Sequence, residues 1–198
     1  MTNNEEALRD QDRHLLAQVR ESFGRVAYSH KTHEKQADIC FVRHRWQQAA
    51  LITLTAASST TFLATVVGLF GNPVMTSLIT SSIALAVTWI SLGAMTVNFA
   101  EESDDHRRVA SELWDVRESY ISLIADLMSG TVTHTEARER RSELQEKARA
   151  AYSRAPRTSS KAFTHAQDGL KNNEELTFTS GEIDHLLPEA LRLNESKA

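Results

Sequence analysis

The residues best suited to chemistry lie in a short polar segment that precedes a long apolar part of the chain. His30, His33 and Glu34 are three or four positions apart, a spacing that places side chains on one face of a helix. Imidazole and carboxylate groups arranged in this way are compatible with a metal site. Lys31 and Lys35 adjoin them, however, and the ligand set is incomplete. The pattern therefore favours a solvated or partner-contacting face, and we predict no metal ligand.

Catalytic motifs are absent from the sequence. It contains no GxSxG nucleophile elbow, no glycine-rich phosphate loop and no HExxH pair, and its carboxylates fall on charged helical segments. The single cysteine, Cys40, can form no internal disulfide. With 22 basic and 26 acidic residues the net charge is -4, and no basic stripe marks a nucleic-acid binder. The sequence predicts a protein that is not an enzyme, has no cofactor and does not bind nucleic acid directly.

A long uncharged run divides the chain into three parts. Residues 46–100 are 55 positions without Asp, Glu, Lys or Arg, too many for one spanning helix of about 20 residues and enough for two. Gly71–Pro73 supplies the break, because Asn-Pro marks a turn and proline can open the next helix. We place the spans at 49–70 and 74–97. So short a connection predicts an antiparallel hairpin.

Basic residues flank the uncharged run at both ends and are absent from the turn. An excess of Lys and Arg beside the spans predicts that this side is cytoplasmic. Both termini, in an N-terminal helical segment at 1–45 and a helical region at 101–198, are therefore expected in the cytoplasm. The residues predicted to lie at the membrane interface are Arg43, Arg45, Trp46, Arg107 and Arg108.

Small and polar residues recur along the second span at alternating spacings of four and three, which places them on one helix face. This small-polar stripe consists of Ser77, Ser81, Ala84, Thr88, Ser91 and Asn98. Two interpretations stay open: a seam for helix packing, or a face lining a water-filled axis in a homo-oligomer. The hydroxyl content is also the main argument for a soluble protein with a buried helical hairpin, which the length of the uncharged run disfavours.

The segments outside the apolar run show helical periodicity, so the predicted fold is all-α. A helix over 5–23 is expected to be interrupted at Gly24, and a second helix to run from about Arg25 into the first span. The second span is expected to continue as one amphipathic helix that ends at Gly130. Three further helices are expected: one behind the capping box that starts at Thr133, one from about Ser159, and one behind the capping box that starts at Thr179.

A short motif in the polar segment precedes the spans. The helical tail that follows the spans carries Tyr152 and an Ala-Pro-Arg-Thr-Ser segment at 155–159. The motif residues are Tyr28, His30, Lys31, His33, Glu34 and Lys35. From about residue 15 to 192, the chain resembles the SLATT domain. This is a bacterial two-transmembrane effector module associated with SMODS nucleotidyltransferases and SLOG nucleotide-sensing domains.

The resemblance implies a role in conflict systems such as phage defence, in which an oligomer forms a pore or otherwise disrupts the membrane when triggered. Its implied location is the bacterial inner membrane, and its implied partners are further copies of the chain, the lipid bilayer and a separate sensor or signal-producing protein. That protein would be a nucleotidyltransferase, a SLOG-type protein or a reverse transcriptase. The resemblance supplies no catalytic residue. The alternative is a non-conducting membrane anchor or scaffold for a cytosolic partner enzyme.

Overall fold

Six helices make up the part of the chain that the computed structural model describes, which is residues 3–57, 59, 72–96, 98–186 and 188. In chain order they are α1 (Asn3–Ala57), α2 (Pro73–Thr96), α3 (Phe99–Ser129), α4 (His134–Arg154), α5 (Ser160–Lys171) and α6 (Ser180–Leu186). No strand occurs among these residues, so the predicted all-α class is confirmed for them. Residues 60–70 of the first predicted span lie outside the described residues.

Helix α1 is one continuous element of 55 residues. The predicted interruption at Gly24 was wrong, because the helix runs through this glycine and into the start of the first predicted span. Glycine costs a helix interior about 1 kcal/mol relative to alanine. Packing outweighs that cost here, since Val19 and Val26 on either side of the glycine are buried in the core shared with α3.

Helix α2 begins where the sequence predicts, behind Asn72. The side-chain Oδ1 of Asn72 accepts hydrogen bonds from the backbone amides of Val74 and Met75, at 3.0 and 3.5 Å. These bonds satisfy two amides that lack a partner within the helix. Pro73 occupies the first helical position, where its missing amide proton is not needed.

Helices α2 and α3 are separate, so the predicted continuation of the second span as one helix was wrong. Helix α2 ends at Thr96 and α3 begins at Phe99. The Oδ1 of Asn98 accepts a hydrogen bond from the Glu101 amide at 3.2 Å, and the Asn98 side-chain nitrogen donates to the Glu101 carboxylate at 3.1 Å. Asn98 therefore caps α3, and the part of the small-polar stripe on α2 ends before it.

The apolar face of α3 forms the centre of the core. Its buried side chains recur at the predicted helical spacing and contact α1 on one side and α4 on the other. Burying one such large side chain contributes about 1.5–3 kcal/mol. The core residues are Leu15, Val19 and Val26 of α1, Val109, Leu113, Val116, Tyr120 and Leu123 of α3, and Ala137, Leu144, Ala148 and Ala151 of α4.

Four capping residues place the C-terminal helices where the sequence predicts them. Gly130 ends α3 in the left-handed conformation, with φ 67°, which glycine adopts without steric cost. Thr133 and Ser159 cap α4 and α5, and each side-chain oxygen accepts the backbone amide three residues further on. Before α6, the Thr179 hydroxyl accepts the Glu182 amide and the Glu182 carboxylate accepts the Thr179 amide.

Candidate functional site

A cluster of buried polar side chains joins α1 to α3 around the motif of the polar segment. We call this cluster the polar core; it consists of His30, Lys31, Thr32, His33, Gln36, Ser103 and His106. The interpretation of this face of α1 as solvated or partner-contacting was wrong for these motif residues. They pack against other helices of their own chain, which periodicity within one helix does not reveal.

Two hydrogen bonds of the polar core tie the side chains of one helix to the backbone of the other. His30 Nδ1 lies 2.9 Å from the carbonyl oxygen of Ala110. Because a carbonyl can only accept, Nδ1 of His30 carries the proton. In the opposite direction, Ser103 Oγ donates to the carbonyl oxygen of Ala37 at 2.9 Å. Together the two bonds fix the register of α1 against α3.

The two motif lysines hold the loop that follows α5. Lys31 Nζ lies 2.6 Å from a carboxylate oxygen of Glu175 and 2.9 Å from one of Glu34, and Lys35 Nζ lies 2.9 Å from Glu175. Gly169 leaves space for this bridge, because a Cβ atom there would lie 2.9 Å from Cδ of Glu175. The motif lysines therefore dock the tail onto α1.

The charges of this bridge stabilise one another. Burial alone would lower the pKa of Lys31, but the hydrogen bonds and negative charges of Glu175 and Glu34 outweigh it and raise the pKa above 10.5. Hydrogen bonds from Lys31 and Lys35 lower the pKa of Glu175 below its ordinary value of 4.5. The bridge is therefore fully charged at neutral pH.

We expect the docking of α5 and its loop to weaken in acid. Since the folded-state pKa of Glu175 is lowered, its stabilisation is present above pH 4.5 and is lost as the pH falls through the lowered value. The contribution of Lys31, whose pKa is raised, is present below pH 10.5 and is lost as the pH rises through the raised value.

Hydrogen exchange of the α5 amides, measured relative to those of α4 in the same sample, should therefore accelerate in acid. In Glu175→Gln the α5 amides should exchange faster already at neutral pH, with little further change on acidification. Equal relative protection of α5 in the variant and the wild type at both pH values would contradict the docking role of Glu175.

Two histidines face each other inside the polar core. The Nδ1 atoms of His33 and His106 lie 2.8 Å apart, so one of them donates a proton to the other. Burial and the charges of His106 and His30 lower the pKa of His33 to about 4. Burial also lowers the pKa of His106, against the opposing charges of Glu102 and Asp105. Both imidazoles are therefore neutral at pH 7, so one ring can donate its Nδ1 proton and the other can accept it through its unprotonated Nδ1.

A group of three potential metal ligands includes one histidine of this pair. It consists of Cys40, Glu102 and His106. One ligand-type atom from each of the three side chains lies within 4.8 Å of the other two. Burial raises the pKa of the Cys40 thiol, and the hydrogen bond from Gln36 does not offset it, so the thiol is protonated at neutral pH and is no nucleophile. Sequence reasoning missed this group, because only the pairing of α1 with α3 brings it together.

Gln36 connects this group to the tail. Its Oε1 accepts hydrogen bonds from the backbone amide and the hydroxyl of Ser159, at 3.0 and 2.7 Å, and its Nε2 donates to Cys40 Sγ at 3.4 Å. Ser159 closes the Ala-Pro-Arg-Thr-Ser segment. The tail segment that carries part of the sequence resemblance is therefore in direct contact with α1, one residue beyond the motif.

Tyr28, the remaining motif residue, lies outside the polar core. Its ring stacks on that of Phe163 in α5, with the centroids 6.3 Å apart. Together with Tyr152 the two rings line an open groove between α1, α4 and α5. The motif thus contacts the tail through an aromatic pair as well as through hydrogen bonds and charge.

Helix α2 is long and apolar enough to cross a membrane. Its stretch Pro73–Gly93 contains 21 residues, and none of the apolar window within it is buried in the chain. Among the described residues it is the one helix with these properties. Residues 60–70 of the first predicted span are not among them, so the two-span topology stays a prediction.

The sequence of α1 to α6 matches a known family. The model of SMODS and SLOG-associating 2TM effector domain family 4 matches residues 15–182. The chain belongs to this family. No curated protein and no solved structure matches it. The match confirms the resemblance carried by the motif and the spans, and membership of SLATT family 4 together with helix α2 indicates a membrane protein.

The small-polar stripe of this SLATT chain lies on an open face of α2. Ser77, Ser81, Ala84 and Thr88 are exposed, and Ser91 is half-buried. The hydroxyls of Ser77 and Thr88 donate to the carbonyl oxygens four residues earlier, at 3.0 and 2.9 Å. Other half-buried positions of α2 include Ile79, Thr80, Ile83, Val87 and Ile90. The open face is therefore available to lipid or to another copy.

The predicted interface residues flank the start of α3. The Arg43 guanidinium lies 5.8 Å from the ring centroid of Phe99, and that of Arg107 lies 5.9 Å from the ring centroid of Phe41. These reciprocal cation–π contacts join α1 to α3 beside the predicted membrane surface. Trp46 is 73% exposed. Arg45 and Arg108 are also exposed, as a contact with headgroups requires.

Proposed function

We propose that this chain is a non-enzymatic membrane effector of a bacterial conflict system. Its apolar run crosses the inner membrane twice, and the body formed by α3 to α6 and by α1 up to about residue 45 lies on the cytoplasmic side. Several copies assemble, and the assembly breaches the membrane when a separate sensor or signal-producing protein acts. The family description, which names association with SMODS and SLOG, indicates the class of that partner.

The observation that carries this proposal is that no residue in the apolar window of α2 is buried within the chain. Three of its large apolar side chains, Leu78, Leu85 and Trp89, are each more than 60% exposed. A continuous apolar surface of this kind marks a membrane or protein contact. Because α2 has the length of a membrane crossing, the bilayer is the environment that suits it.

The open face of α2 supports assembly of several copies. Small side chains such as Ser81 and Ala84 let a neighbouring helix approach closely. The Ser77 and Thr88 hydroxyls already donate to their own helix, so the face does not require a polar partner before assembly. We propose that in the assembled state the small-polar stripe lines the central axis, where its hydroxyl oxygens can still accept hydrogen bonds from water.

Membrane potential in cells tests the proposed function. The full chain is expressed inducibly, alone and with its neighbouring genes, in bacteria that carry a potential-sensitive dye. We expect depolarisation to follow induction of the wild type under the triggering condition. The control is Met128→Ala, which shortens a side chain of α3 that is 70% exposed, leaves α2 intact and should depolarise cells like the wild type. An unchanged potential, with the protein abundant in the membrane fraction and all neighbours expressed, would favour the scaffold alternative.

A further inference from the structure

We propose that Cys40, Glu102 and His106 form a binding site for one transition-metal ion of the zinc type, which cross-links α1 to α3. The site is separate from the membrane function above and does not rest on it. It uses residues far apart in the sequence that no motif connects.

The first reason is an unpaired nitrogen. His106 is 0% exposed, and its buried Nε2 makes no hydrogen bond. Oε1 of Glu102 lies 3.9 Å from this nitrogen, beyond hydrogen-bond distance. A buried polar atom without a partner is unfavourable. A metal ion between the two groups would satisfy both.

The second reason is the spacing of the three ligand-type atoms. Zinc binds sulfur at about 2.3 Å and nitrogen or oxygen at about 2.0–2.2 Å, so ligand atoms around a tetrahedral ion lie about 3.5 Å apart. The atoms of Cys40, Glu102 and His106 lie within 4.8 Å of one another. Small side-chain movements would therefore bring all three onto one ion.

The third reason is the chemistry of the ligand set. Thiolate, imidazole and carboxylate are the three side-chain ligands that zinc uses. Calcium and magnesium instead take oxygen ligands, so a cysteine and a histidine disfavour them. Three protein ligands leave a fourth position for water or another donor. Binding would release the Cys40 proton, because the thiolate is the ligand form.

The fourth reason is that two ligands already have supporting hydrogen bonds. A histidine bound to a metal through one nitrogen usually donates from the other, which fixes the ring. Nδ1 of His106 lies 2.8 Å from Nδ1 of His33, as this arrangement requires. Gln36 Nε2 donates to Cys40 Sγ at 3.4 Å, which suits a thiolate.

Zinc competition against a chromophoric chelator tests the site in the purified full chain, kept in detergent without a polyhistidine tag. We expect one Zn²⁺ per chain, and Co²⁺ in its place should show thiolate-to-cobalt charge-transfer absorption. His33→Ala, which removes only the hydrogen-bond partner of His106, should weaken binding by about 10- to 100-fold. His106→Gln and Cys40→Ser should weaken it further, and Cys40→Ser should abolish the charge-transfer band.

Two control variants and a folding check make each outcome decisive. Asp104→Asn and His44→Gln remove a carboxylate and an imidazole outside the group, and should bind Zn²⁺ like the wild type. Circular dichroism and size exclusion verify the fold of every variant. If the variants at buried residues misfold, Glu102→Gln provides the test of the site, because the Glu102 side chain is 36% exposed. Absence of stoichiometric Zn²⁺, or equal affinity of Glu102→Gln and Asp104→Asn, would overturn the proposal.

Discussion

Replacement of Leu113 by alanine is expected to destabilise the helical body by about 2–5 kcal/mol, through lost burial and the cavity left behind. Leu113 is 0% exposed and lies in the core that α3 shares with α1 and α4. For a chain of this size, each kcal/mol lowers the unfolding midpoint by about 2–4 °C. Thermal unfolding of the purified full chain in detergent measures the change.

Met128→Ala is the matched control for this experiment. It shortens a large apolar side chain on the same helix, but Met128 is 70% exposed. Surface substitutions of this kind usually change stability by no more than about 0.5 kcal/mol. Equal midpoints for Leu113→Ala and Met128→Ala would show that the contact of α3 with α1 and α4 does not support the fold.

Aspartate is expected to have different consequences on the two faces of α2. On the small-polar stripe, Ser81→Asp or Thr88→Asp should alter ion flux or toxicity while the chain still inserts, because an axis filled with water can hydrate a charge. Away from the stripe, on the aliphatic side of α2 that holds the half-buried Ile83 and Ile90, Ile83→Asp or Ile90→Asp should reduce insertion itself. A charge near the bilayer centre costs about 3 kcal/mol on insertion scales, which is roughly a hundredfold in an equilibrium.

The variants are compared at equal amounts of protein in the membrane fraction. A charge near the bilayer centre can lower the amount of inserted protein for the stripe variants as well as for the aliphatic-side variants. Depolarisation is then measured per inserted chain. If the Ser81→Asp and Thr88→Asp variants depolarise and kill cells like the wild type, the stripe does not line a conduction path. Normal insertion of the Ile83→Asp variant would show that the aliphatic side does not require an apolar environment in the membrane.

Local signals were sufficient to place most helix boundaries. Gly130, Thr133, Ser159 and Thr179 mark boundaries through conformations and hydrogen bonds that involve only their near neighbours. Asn72 acts in the same way at the start of α2. The amphipathic spacing of α3 is likewise local, so its apolar face could be identified before its partner was known.

The errors arose where tertiary contacts decide the outcome. Gly24 weakens a helix locally, but the packing of α1 against α3 stabilises a continuous helix on both sides of this glycine. Asn98 fits the spacing of the stripe, yet its side chain caps α3 and marks a break.

The candidate site depended on contacts that no single-helix pattern contains. The spacing of His30 and His33 defines a face but not what covers it. Cys40 and His106 become neighbours only through the pairing of α1 with α3. The one sequence signal for this group was the position of Glu102 four residues before His106, which also occurs on ordinary charged helices.

Thiol labelling at the predicted hairpin turn tests the membrane topology on which the account depends. Single cysteines are introduced at Asn72 and, separately, at the exposed Thr135 of α4, in a Cys40→Ala background. The two-span topology predicts that an impermeant thiol reagent labels Asn72→Cys in intact cells and labels Thr135→Cys only after the membrane is opened. Labelling of Thr135→Cys in intact cells, with Asn72→Cys protected, would contradict it.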